Sequence, residues 1–352
     1  MNFHGGDIYN LNKNITDFSS NINPLGVPET FKRLLGENIN IFTHYPDIEY
    51  ISLRESITKY LSIKSIDYVV AGNGAVEIIY KAVETLNIKE VVIAAPTFSE
   101  YRRAAILKGV SYTEINAYDE TDGTFIVDRV LGELKSDSLY IICNPNNPTG
   151  TITDTEVISN IASALKEVNS YLLLDEAFIE FSDDYPNTSI VSKIEDFSNV
   201  IVIRAATKFF GMPGIRLGYG ISSNKVLVRK IRDRLDPWNV NSAAVLAASC
   251  IFEDHSYISN SRKWISKERT FLYRELSSLK GLFIYPSKAN FFLVKILDNS
   301  LTAMDLKERM IDKGILIRTF EGFTHLGSNH IRVAVKDRIS NEILINALSS
   351  CI

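Results

Sequence analysis

The stretch LYIICNPNNPTG, residues 139–150, sets an unbroken apolar run against a loop of three asparagines and two prolines. A run that is apolar at every position, rather than every second one, belongs to a strand covered on both faces, as in a parallel sheet flanked by helices. Two X-Pro steps hold the following loop extended and turned. Its amides therefore stand at the carboxyl end of the strand, where open α/β sheets take their ligands. The same pattern recurs outward from it in VVIAAP from Val91, YLLLDEAF from Tyr171, VIVIRA from Val200 and RLGYGI from Arg216, with amphipathic stretches between. That alternation predicts an α/β fold with a mostly parallel sheet.

After about Pro286 the pattern changes to NFFLVKIL, a helical AMDLKERMIDKG, then ILIRTF and HIRVAV, which read as a compact α+β piece. The expected organisation is an N-terminal arm and small-domain segment over residues 1–45, a large domain over 46–280 and a smaller C-terminal domain over 281–352. Residues 224–279 read as mostly helical.

The 352 residues carry 38 lysines and arginines against 42 acidic groups, a formal charge of −4, so there is no basic footprint for nucleic acid. A hydrophobic fraction of 45% supplies a substantial core. No apolar run is long enough to span a bilayer, and MNFHGGDIYNLNKN has no apolar core of signal-peptide length. Cys143, Cys250 and Cys351 are far apart, odd in number and without metal-ligand spacing. These features lead us to expect a cytoplasmic protein acting on a small molecule, without metal, membrane or nucleic-acid partner.

Three stretches carry chemistry. In AGNGAVEIIYKAVETL (residues 71–86) a Gly-Asn-Gly turn opens a helix with Val76, Ile79, Val83 and Leu86 on one face. Such a helix start is an anion site, although a tight bend alone also explains the glycines. YLLLDEAF drives Asp175 and Glu176 onto the end of a buried strand, where an ionised carboxylate needs a cation beside it or a helix to cap. AATKFFGMPGIRLGYG (residues 205–220) places Lys208 and Arg216 within an apolar, glycine-punctuated run. A desolvated Lys208 has the chemistry of an amine nucleophile toward a carbonyl, and Arg216, near Thr207, that of a phosphate clamp. An amine for an aldehyde, an arginine and helix start for a phosphate, and an aspartate for a protonated ring nitrogen together describe pyridoxal 5'-phosphate.

In this order the blocks resemble the fold type I pyridoxal-phosphate enzymes of the aspartate aminotransferase superfamily, in the branch of histidinol-phosphate aminotransferase and threonine-phosphate decarboxylase. The resemblance implies that Lys208 bonds the cofactor aldehyde and later moves the proton, that Asp175 holds the ring nitrogen protonated, and that Asn147 reaches the ring oxygen. It implies Phe98 on the ring face, and Gly74, Ala75, Val76, Thr207 and Arg216 around the phosphate. Tyr45 in HYPD matches a tyrosine that reaches the neighbouring subunit's cofactor, so a homodimer is implied. Arg332 matches the arginine for the substrate carboxylate, and Asn23 lies in a segment that closes over substrate. Ala205 and Val76 replace hydroxyl residues of relatives, and Phe178 stands where many carry a tyrosine.

HGGD, DFSSNINPLG (residues 17–26) and DPWNVNSAA (residues 236–244) are closer to threonine-phosphate decarboxylases. The expected reaction is decarboxylation of O-phospho-L-threonine to (R)-1-aminopropan-2-yl phosphate for cobalamin biosynthesis. The alternative is a histidinol-phosphate-type aminotransferase. Arg318 is the better candidate for the substrate phosphate and His4 the weaker one.

Overall fold

The protein is described here by a computed structural model that covers residues 5–9, 11 and 15–352. The apolar runs form a seven-stranded sheet: β1 Val69–Asn73, β2 Glu90–Ala95, β3 Ser111–Asn116, β4 Ser138–Cys143, β5 Tyr171–Asp175, β6 Val200–Ala205 and β7 Leu217–Ile221. They lie side by side as β1-β7-β6-β5-β4-β2-β3. Every residue of β4 and β6 is buried, which is why those strands read as continuous hydrophobic runs.

Parallel pairs join β3-β2-β4-β5-β6, while β7 runs against both of its neighbours, β1 and β6. The reversal follows from length. A parallel crossover needs a dozen or more residues, and the link from β6 to β7 is only residues 206–216. That link carries Lys208 and Arg216, so a topological necessity places both beside the carboxyl ends of β5 and β6.

The helix Ala75–Thr85 buries Ile78, Ile79, Ala82 and Val83 against the sheet. Its covered face is broader than the expected stripe, and Val76 is left half-buried at the cleft. Helices Lys225–Arg232, Ser242–Ile251 and His255–Ser277 fill the region read as helical.

A second, antiparallel sheet comprises β8 Leu282–Ile284, β9 Phe291–Ile296, β10 Arg318–Thr319 and β11 His330–Ala334, in the order β10-β11-β9-β8. The single run ILIRTF divides between two sheets: Ile315–Leu316 pairs in parallel with Thr16–Asp17, and Arg318–Thr319 pairs with β11. The arm is also held by Phe18, whose amide donates to Leu316 O and whose carbonyl accepts from the Ala334 amide, at 2.8 and 2.9 Å.

Behind the site, Arg204 is fully buried among two carboxylates, 2.8 Å from Glu176 Oε2 and 3.2 Å from Glu180 Oε1. A charge in the middle of an apolar strand persists only with such partners.

Candidate active site

The carboxyl ends of β4, β5 and β6 open into a cleft of about 480 Å³, closed on the other side by the N-terminal arm and the antiparallel sheet. Its base is the loop 144–150. Asn144 and Asn146 spend their amides holding that loop: Asn144 exchanges hydrogen bonds with the backbone of Thr153, and Asn146 donates to Pro96 O and Thr149 Oγ1, each at 3.1 Å. Asn147 alone turns its side chain into the cleft.

Strand alternation separates the adjacent carboxylates. Asp175 faces the cleft, whereas Glu176 points to Arg204 and Ser189. Asp175 Oδ2 accepts from the Tyr101 hydroxyl at 2.7 Å and Oδ1 from the Ala177 amide at 2.9 Å. Burial pushes its carboxyl above the ordinary range, and these two donors pull it back.

Lys208 sits on the short helix Ala206–Phe209, half-buried, with its side chain in the cleft. Desolvation, then the charges of Arg332 and Arg216, bring its amine down to about 8. About a tenth of it is then uncharged at pH 7, far more than for an ordinary lysine, and the neutral form is the nucleophile.

At the helix start, Gly74 adopts a left-handed φ of 81°, and a Cβ there would lie 2.3 Å from the Arg216 guanidinium. A Cβ on Gly218 would lie 2.1 Å from the Ala75 amide nitrogen. Glycine at both positions lets β7 and the guanidinium close onto the helix N-terminus, where Ala75, Val76 and Thr207 line the cleft. Arg216 is itself at φ 57°, a strained setting for a residue with a side chain.

Arg332, on β11, is buried. It donates to Ser19 O at 2.7 Å and to Asn147 Oδ1, and with the Asn21 amide oxygen turned toward it the guanidinium also meets that oxygen at 3.1 Å. These acceptors are neutral, and desolvation together with the nearby charge of Arg318 brings its guanidinium down to about 9. Arg318 is the register partner of Arg332 across β10 and β11, and Phe98 lines the opposite wall.

The remaining candidates lie elsewhere. Asn23 does not line the cleft: its amide is buried, donating to Phe209 O and Ser261 Oγ, each at 2.7 Å, while its backbone N–H donates to Lys208 O. The arm presents Ser19, Ser20 and Asn21 to the cleft instead. Tyr45 is 77% exposed and stacks on Trp238 at 4.5 Å, away from this chain's cleft. His4 lies outside the described residues. Sequence reading also passes over Tyr101. Its spacing of three from Phe98, across the turn that opens helix Glu100–Lys108, is the signal that brings the two rings together.

The chain belongs to the aminotransferase class I and II family, which it matches over residues 7–348. It is 34% identical over 337 residues to threonine-phosphate decarboxylase of Salmonella typhimurium, covering 95% of this chain and 90% of that one. It is 32% identical over 346 residues to histidinol-phosphate aminotransferase of Methanococcus aeolicus, covering 96% and 91%. The crystal structure of histidinol-phosphate aminotransferase from Clostridium acetobutylicum matches with a TM-score of 0.89 at 36% identity, covering 95% and 98% of the two chains.

Proposed function

We propose that the protein is a pyridoxal-phosphate-dependent lyase that decarboxylates O-phospho-L-threonine to (R)-1-aminopropan-2-yl phosphate. The observation that carries the reading is the Arg318–Arg332 pair, two guanidiniums in register beside the half-buried Lys208 amine. Two adjacent cations suit a substrate that carries a carboxylate and a phosphate together, as phosphothreonine does.

The residues fit the cofactor. The glycine-lined helix start with Arg216 takes a phosphate, Lys208 an aldehyde and Asp175 a ring N–H. When bound, pyridoxal phosphate supplies an electron sink for the pair left at the substrate α-carbon. The chain's own part is positioning and proton control. Arg332 would hold and orient the substrate carboxylate, Asp175 would keep a positive charge on the ring nitrogen, and Lys208 Nζ would return a proton to the α-carbon. Asn147 Oδ1 is occupied by Arg332, which leaves Nδ2 as the donor for the ring oxygen. Phe178 packs edge-on against Phe291 and adds no hydroxyl.

The enzyme is read as a cytoplasmic homodimer. Supporting this, Ile39, Phe42, Tyr45, Ile48 and Ile51 are all exposed within one short stretch, beside Trp238. Among the described residues no helix is long and apolar enough to cross a membrane.

A second reading, histidinol-phosphate-type aminotransferase, is favoured by the 36% identity to the Clostridium structure. One experiment separates them: incubate the yellow protein with O-phospho-L-threonine and no keto acid, following carbon dioxide and the visible spectrum. Sustained carbon dioxide release with the spectrum retained supports decarboxylation. A single conversion to the colourless amine form of the cofactor, reversed by 2-oxoglutarate, supports transamination.

A further inference from the structure

Tyr101 is fully buried, yet its hydroxyl reaches the wall of the cleft and donates to Asp175 Oδ2 at 2.7 Å. A buried tyrosine needs some acceptor, and a backbone carbonyl would serve. Here the acceptor is the cleft carboxylate at the carboxyl end of β5. The other carboxylate oxygen accepts from the Ala177 amide, so each oxygen has one fixed donor and the plane of the carboxylate is set. The ring of Tyr101 meets Phe98 edge-on, with centroids 5.6 Å apart and planes at 84°, so one turn of chain ties the aromatic wall to the carboxylate.

We infer that Tyr101 is a positioning residue that holds Asp175 ionised and aimed at a protonated ring nitrogen, an inference that rests on the pyridoxal-phosphate reading above. Desolvation and the neighbouring Asp175 charge hold the phenol well above its ordinary range, so it stays a donor throughout the working range of pH. Burial alone drives Asp175 toward its neutral form, and a neutral carboxylic acid gives a ring N–H no counter-charge. Removing the hydroxyl leaves Oδ2 without this donor, and the ring proton then sits closer to Asp175. With the cofactor bound, a more basic Asp175 would leave the ring a weaker electron sink and would move the pH midpoint of its absorbance upward.

The test is Tyr101→Phe, which removes one oxygen and keeps the packing against Phe98. Five quantities are measured against wild type: the Kd of pyridoxal 5'-phosphate by equilibrium dialysis, the pH midpoint of the bound cofactor's visible absorbance, the melting temperature of the cofactor-free protein, and kcat and substrate KM. The expected result is a Kd raised about tenfold and a midpoint moved to higher pH, with kcat lowered about tenfold and substrate KM within twofold, as for loss of a hydrogen bond to a charged group. A variant that binds, titrates and turns over like wild type overturns the inference alone. A variant changed only in melting temperature also overturns it and leaves Tyr101 a packing residue. Wild type that takes up no pyridoxal phosphate overturns the functional reading and this inference with it.

Discussion

Arg332 donates to the side-chain oxygen of Asn147, so two residues suited to different ligands hold one another across the cleft. Arg332→Lys removes the planar fork that carries this contact and the one to Ser19. Substrate KM should rise roughly 10- to 100-fold in steady-state kinetics, the effect of losing hydrogen bonds to a charged group. Asn147→Asp keeps an acceptor for Arg332 but loses the amide donor. Its cofactor affinity should fall while its melting temperature holds.

Asn23 and Asn21 make a paired test of what the arm does. Asn23→Ala removes a 2.7 Å buried donor from both the Phe209 carbonyl and the Ser261 hydroxyl and should lower unfolding stability by about 1–3 kcal/mol, read by urea titration, with KM unchanged. Asn21→Ala should do the reverse, raising KM with little change in stability, because its amide oxygen faces Arg332 at the cleft.

Lys208 should weaken the fold it serves. Bringing its amine from 10.5 to about 8 costs on the order of 3 kcal/mol at neutral pH. The sign follows from proton counting: between about pH 8 and 10.5 the unfolded chain binds the proton that the folded one has released, so stability rises with pH across that window. In the cofactor-free protein, Lys208→Met should therefore be more stable than wild type at pH 7. The gap should close by pH 10.5, as denaturant titrations at the two pH values will show.

Arg204→Met strands Glu176 and Glu180 in the core and should cost about 3–5 kcal/mol of stability. Adding Glu176→Gln and Glu180→Gln removes the uncompensated charge and should recover most of that loss. Urea unfolding of the single and triple variants measures both.

Phe42→Glu with Ile48→Glu places two charges in the exposed apolar stretch around Tyr45. Light scattering should report a monomer in place of a dimer. Cofactor affinity should fall with it, since Tyr45 is read as serving the partner's site.

What was legible in the sequence was what leaves a local trace. The continuous apolar runs of β4 to β6 and the lysine–arginine link between β6 and β7 announce the sheet and its ligand end. Adjacent residues such as Asp175 and Glu176 look alike on paper, and only the partners of the strand faces separate them: Tyr101 on one side, Arg204 on the other. The arm has no period to read, so nothing local marks Asn21, rather than the expected Asn23, as the residue that faces the cleft. Its contact with the cleft, Ser19 to Arg332, spans 313 positions. The division of ILIRTF between two sheets is hidden for the same reason, since its partners, Thr16–Asp17 and β11, lie far away in the chain.

That long span has a consequence for biosynthesis. The arm emerges from the ribosome well before the residues it docks on, Ile315–Leu316 and Arg332, the last of them 313 positions after Ser19. Until then Ser19, Ser20 and Asn21 have no strand to dock on and one wall of the cleft is missing. A nascent chain with the seven-stranded sheet already formed has Lys208 and Asp175 in place but nothing to enclose a substrate. The cleft gains that wall only after β11 has been synthesised.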